Sequence, residues 1–141
     1  MIGTHVEFTP GTDAEQPWLF SSEGSQLDGA IYDGHARFTD NGTHATYRFS
    51  LPSDVQGGTL TLEIGNEFLV EASTDNANWT TVLEETAAEH DLNNLAERTL
   101  DLNALRNGGR TVYIRLGDSH PTDGWGGWLA HLKLVMQRSG T

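Results

Sequence analysis

The stretch Asp118-Ser119-His120-Pro121-Thr122-Asp123-Gly124-Trp125-Gly126-Gly127-Trp128 packs two carboxylates, a histidine, two tryptophans and three glycines into eleven positions. A tryptophan beside short polar side chains has the chemistry that a sugar ring requires. The axial C–H face of the ring lies on the indole, and its hydroxyls take directional bonds from Asp, His or Arg. Glycines let backbone approach a ligand closely. Trp125 lies outside any apolar alternation and reads either as a ligand platform or as a lid over the core. His120, Asp123 and Asp118 are its polar companions. Trp128 keeps parity with Ala130, Leu132 and Leu134, which assigns it to the core.

Asp118 and Asp123 also suit a hard cation, since calcium gathers 6–8 oxygens from carboxylates and irregular backbone. Their spacing is not that of an EF-hand loop. The acidic turns Asp13-Ala14-Glu15, Asp28, Asp33 and Asp40-Asn41 are further oxygen sources. The competing reading is that these aspartates cap their own turns. Both readings stand on these residues, and in the calcium reading Asp118 and Asp123 are the named ligands. Trp18, which follows Pro17, is open to a binding or a packing role. Arg37, Arg48 and Arg115 fall on the outward faces of their strands; Arg115 joins the candidate ligand-binding set.

Catalytic patterns are absent. No GxSxG elbow, no phosphate-cradling glycine loop with a following lysine, and no cysteine occurs. The six histidines form no HxH or HExxH pair, so zinc has no local signature. Acids are plentiful, yet nothing singles out a pair for glycoside hydrolysis. The chain reads as a non-enzyme.

The elements that must position these residues are strands. Ala45, Tyr47, Phe49 and Leu51 alternate with Thr46, Arg48 and Ser50. Leu60, Leu62 and Ile64 alternate with Thr59, Thr61 and Glu63; Val112, Ile114 and Leu116 repeat the pattern. Period two over such runs marks half-buried strands. Asp75-Asn76-Ala77-Asn78 is a turn joining Phe68–Ala72 to Trp79–Leu83 as a hairpin, with Asp75 accepting turn amides and Trp79 packing beneath. Gln56-Gly57-Gly58 reads as a turn, Asn103–Asn107 as a turn of 3₁₀ helix, and Glu84–Asn94 as an acidic segment with a short helical stretch. Eight or nine strands result, which is an all-β antiparallel sandwich or jelly roll.

The 141 residues make one ordinary domain, 1–141, with 1–4 and 138–141 as frayed tails. Twenty acids against eight Lys plus Arg give a charge of −12. That sign disfavours nucleic acid and anionic membrane as partners, and makes a neutral glycan a better ligand than an acidic one. No apolar run is long enough to span a bilayer.

Three segments resemble the galactose-binding-like β-sandwich family, which includes discoidin-type (coagulation factor 5/8 C) domains and many carbohydrate-binding modules. Phe68 to Val82 is similar to that family's V-E-x-S-x-D-x-x-x-W-x-x-V hairpin. Arg98 to Asn103 with Val112 to Leu116 looks like its D-L-S…R-Y-V-R-I strand pair. Asp118 to Gly127 looks like the D-x-x-x-x-D-G-W-G loop of modules appended to bacterial polysaccharide-degrading enzymes. The resemblance covers residues 68 to 136; the chain departs from eukaryotic discoidin domains in lacking their cysteine pair. It implies a jelly roll with a ligand held by loops at one end, a structural calcium, and a non-catalytic role. It further implies a polysaccharide or oligosaccharide partner, a covalently linked catalytic domain, and an extracellular or cell-surface location. A protein-interaction or structural domain of a larger extracellular assembly is the alternative reading.

Overall fold

The computed structural model describes residues 2–10, 12–21, 26–27, 37–39, 44–66, 68–85, 96–106, 109–117 and 127–138. Its elements are β1 (Ile2–Phe8), β2 (Leu19–Ser21), β3 (Gln26–Leu27), β4 (Arg37–Thr39), β5 (Ala45–Ser50), β6 (Val55–Asn66), β7 (Phe68–Ser73), β8 (Thr80–Glu85), β9 (Ala96–Asp101), α1 (Leu102–Arg106), β10 (Thr111–Gly117) and β11 (Gly127–Arg138). One sheet runs β3-β4-β11-β6-β9, with β1 also paired to β11; the other runs β2-β5-β10-β7-β8. Every pairing among the described residues is antiparallel. The all-β antiparallel sandwich read from the alternation is the observed fold.

Period-two alternation explains the layers. Leu60, Leu62, Ile64, Leu132 and Leu134 line one inner face, and Tyr47, Phe49, Val70, Val112, Ile114 and Leu116 line the other. The Phe8 and Tyr47 rings meet across the gap, centroids 5.1 Å apart, and so join the two sheets. Each such side chain contributes about 1.5–3 kcal/mol by leaving water. Leu102 and Leu105 of α1 close one end of this core.

Four local expectations need correction. Gln56-Gly57-Gly58 is no turn but part of β6, which continues from Val55 along β11. Gly58 has φ +155°, and a Cβ there would collide with the Val135 carbonyl oxygen, so glycine serves a close strand approach. The expected tails are also partly ordered, because Ile2, Gly3 and Thr4 pair with Arg138, Gln137 and Met136. The 3₁₀ turn at Asn103–Asn107 is instead one turn of α-helix, α1.

The fourth concerns parity along β11. A register shift lies between Leu129 and His131, so Leu129 pairs with Ile64 and is fully buried. A bulge resets the alternation. Leu129, outside the apolar parity read from the sequence, is thereby an inward residue, while the side chain of Trp128, expected in the core, lies outside those described. The short helical stretch expected between Glu84 and Asn94 falls almost wholly outside the described residues, apart from Glu84 and Glu85 in β8.

Candidate functional site

Among the described residues, the five-stranded sheet carries two contacts between a guanidinium and an aromatic ring. Cross-strand register aligns them: Arg48 of β5 stands opposite Tyr113 of β10, and Arg115 stands opposite both Thr46 and Glu71 of β7. Arg115 donates from Nε and Nη2 to Glu71 Oε1, at 3.1 and 2.9 Å. Its guanidinium also covers the Trp79 ring, 4.2 Å from the centroid. The hairpin below Trp79 is held by Asp75. Its Oδ1 accepts from the Ala77 and Asn78 amides at 2.9 and 2.8 Å, and Oδ2 accepts from Asn78 Nδ2 at 2.6 Å. Ser73 Oγ adds a bond to Oδ1 at 2.8 Å. These bonds, the Asn78 amide first, hold the Asp75 carboxyl far below the usual carboxylate range. Asn76, at φ 59°, completes the turn in the left-handed region that Asn tolerates.

Phe20 is a feature the alternation did not single out. In β2, Leu19 pairs with Tyr47 and Ser21 with Thr46, so Phe20 is the extra residue of a bulge. It is 45% exposed, the one large apolar side chain exposed among the described residues. The Arg48 guanidinium sits 5.1 Å from its ring centroid, and the Tyr113 ring meets it edge-on at 5.4 Å and 78°. Trp18, two residues earlier, stacks on Phe49 at 5.8 Å and 28°. One indole face is thus used in packing against the core.

Gly117 and Gly127 anchor the tryptophan-bearing connection. Gly117 ends β10 in one sheet opposite Leu69, and Gly127 starts β11 in the other sheet opposite Asn66 and Thr39. Asn66 ends β6 and Leu69 is the second residue of β7, so both anchors stand at one end of the sandwich. The Ser73–Asn78 turn follows the far end of β7, and α1 precedes β10, so both mark the opposite end.

No known family model matches the sequence, and no curated protein matches it. Solved structures do match. The fold is similar to a family 35 carbohydrate-binding module from Clostridium thermocellum, with a TM-score of 0.56, 12% identity, and coverage of 91% of this chain and 96% of that one. It is also similar to part of a family GH115 4-O-methyl-α-glucuronidase with specificity for decorated arabinogalactans. There the TM-score is 0.57 and identity 16%, over 91% of this chain but 17% of the enzyme. A family two carbohydrate esterase from Cellvibrio japonicus gives 0.52 and 13%, over 99% of this chain and 37% of the enzyme. The chain has the β-sandwich fold of carbohydrate-binding modules.

In this sandwich the sequence-assigned residues separate. Arg115 and Trp18 lie in described strands and turns, while Asp118, His120, Asp123 and Trp125 lie outside the described residues. The calcium expected at Asp118 and Asp123 falls there too. Glu15, one of the acidic-turn residues, is fully buried and accepts the Tyr47 hydroxyl at 2.6 Å. Among the described residues no group of three His, Asp or Glu side chains is placed to hold a metal ion.

A polar cluster occupies the β1–β11 surface. Glu7 bonds His131 Nε2 at 2.7 Å, the Thr9 hydroxyl meets His131 Nδ1 at 3.3 Å, and His5 lies 3.5 Å from Glu7. The His131 bond holds Glu7 below its ordinary value. A cavity of about 280 Å³ opens between the β7–β8 hairpin and α1, lined by Ala72, Ser73, Thr74, Asn78, Thr80, Val82, Ala104 and Leu105. It has no aromatic or charged wall, so it lacks the stacking surface that a sugar face uses. Among the described residues no helix is long and apolar enough to cross a membrane.

Proposed function

We propose that this domain is a non-catalytic carbohydrate-binding module that tethers a linked glycan-active enzyme to a neutral polysaccharide outside the cell. One observation carries the reading: the tryptophan-bearing connection is anchored by Gly117 and Gly127 at one end of a sandwich with the fold of carbohydrate-binding modules. Fold alone does not assign function. The residues between those anchors supply the chemistry: an indole, two carboxylates and an imidazole in a glycine-rich setting. Trp125 is the platform, and His120, Asp123 and Asp118 bond the hydroxyls. Trp18 and Arg115 have supporting places, limited by the packing each already makes. Asp118 and Asp123 are also the proposed calcium ligands, read by loss of thermal stability on adding a chelator.

The affinity proposed for the site is modest, roughly 1 μM to 1 mM in Kd. Titration of Trp125→Ala against a panel of polysaccharides tests the site. At least a tenfold weakening is expected, with unfolding unchanged; equal affinity removes Trp125 from it.

A further inference from the structure

The cavity between the β7–β8 hairpin and α1 has two kinds of wall. Ala72, Val82, Ala104 and Leu105 make an apolar side, and Thr74, Asn78 and Thr80 a polar one. Ala72 and Leu105 are buried, so the apolar side reaches into the sandwich edge. Small side chains at 72 and 104 leave space there. The β7–β8 register shifts between Val70 and Glu71, which makes Val82 the extra residue of a bulge. Bulges re-aim side chains and recur beside binding sites.

The polar side is unspent. Ser73 Oγ is saturated, because it donates to Asp75 Oδ1 at 2.8 Å and accepts from the Asp75 and Asn76 amides at 3.2 and 3.0 Å. Asn78 commits Nδ2 to Asp75 Oδ2 at 2.6 Å, and its Oδ1 has no protein donor among the described residues. The Thr74 and Thr80 hydroxyls have no protein partner among them either. All three residues are exposed and so reachable from solution.

We infer that this cavity binds a small, free, neutral N-acyl amine, with its alkyl chain against Ala72, Val82, Ala104 and Leu105 and its amide against Thr74, Asn78 and Thr80. A hydroxyl donates to the amide carbonyl, and Asn78 Oδ1 accepts the amide N–H; an ester lacks that second group. The wall carries no charge, and an unpaired ion there would lose its hydration without recompense. Asp75 of the same hairpin already accepts from Ser73, Ala77 and Asn78, so it has little to offer a cation. A cavity of roughly 150 Å³ holds benzene, so one of about 280 Å³ takes about ten non-hydrogen atoms, the size of an amide with an acyl chain of about six carbons. A ligand of that size binds with a Kd on the order of 1 mM. The site stands independently of the carbohydrate-binding role.

The test titrates N-methylhexanamide into the isotope-labelled domain, with hexanoate, hexan-1-ol and N-acetylglucosamine as comparisons. Amide NMR signals of Ala72, Thr80, Ala104 and Leu105 report the site, and thermal unfolding checks the fold of Thr80→Val and Ala104→Leu. N-methylhexanamide is expected to shift those signals saturably. Thr80→Val keeps the side-chain shape and deletes the hydroxyl, so binding should weaken about fivefold. Ala104→Leu fills the space and should abolish binding. N-acetylglucosamine, whose acetyl group leaves most of the apolar wall bare, should bind at least about tenfold more weakly. Unmoved signals up to about 10 mM, ten times the expected Kd, overturn the site. Wild-type affinity in both variants places the ligand elsewhere and overturns it too. Hexanoate or hexan-1-ol binding as tightly overturns the neutral-amide assignment. N-acetylglucosamine binding as tightly points to an acyl group borne on a glycan and overturns the free ligand. A raised unfolding temperature in Ala104→Leu, with no probe bound by wild type, shows a packing void only and overturns the site. None of these outcomes bears on the polysaccharide panel, which reads the module role separately.

Discussion

Arg115 grips Glu71 and Trp79 at once, with Nη2 2.9 Å from Glu71 Oε1 and the guanidinium 4.2 Å from the indole centroid. The Arg115 and Glu71 side chains are 23% and 16% exposed, so water screens the pair only in part. Lysine keeps the charge but loses the planar stack and the second donor. Arg115→Lys is expected to lower stability by about 1–2 kcal/mol. Urea unfolding reads this; an unchanged midpoint removes the structural role.

Glu15 lies within the fold because Tyr47 donates to it at 2.6 Å. Tyr47→Phe keeps the ring and deletes that donor, leaving a buried carboxylate one bond short. The expected cost is about 1–3 kcal/mol. Denaturant unfolding of this variant near wild-type stability contradicts the assignment.

Gly58 faces the Val135 carbonyl so closely that any Cβ must displace the β6–β11 ladder. Gly58→Ala is expected to cost about 2–4 kcal/mol, where an alanine at an ordinary strand glycine would be neutral or stabilising. A thermal midpoint within a degree or so of wild type would show the contact to be slack.

Asp75 and Glu7 give the chain an acid limb. Both carboxyls are held below their ordinary values, Asp75 by its hairpin bonds and Glu7 by His131. Such groups contribute stability that is present above the unfolded carboxylate pKa, near pH 4, and is lost as pH falls through the folded value. Asp75→Ala removes its share. Its stability deficit against wild type is expected to be largest at pH 6 and to shrink below pH 4. A deficit constant across that range shows that the carboxylate charge is not what holds the turn.

The fold was legible where one sheet face is buried and the other wet. Ala45 to Leu51, Thr59 to Ile64 and Val112 to Leu116 alternate because each strand has that asymmetry. The Ser73–Trp79 turn was legible because Asp and Asn side chains bond their own backbone. Bulges were not legible, since a single extra residue leaves no composition signal. The bulge between Leu129 and His131 turned Leu129 inward, and that at Phe20 put an aromatic ring on the outer face. Gly57-Gly58 misled because glycine serves tight approach as well as turns. Of the candidate site, Arg48 was legible as an outward arginine. That it pairs with no carboxylate among the described residues emerged only from the three-dimensional register.

Isothermal titration of the intact domain with neutral β-glucan, xylan, galactan and mannan, paired with an assay for released sugar, addresses the central claim most directly. The account predicts saturable binding to at least one polymer with a Kd of roughly 1 μM to 1 mM and no sugar release. Titrations without binding on every polymer, or turnover of any of them, contradict it.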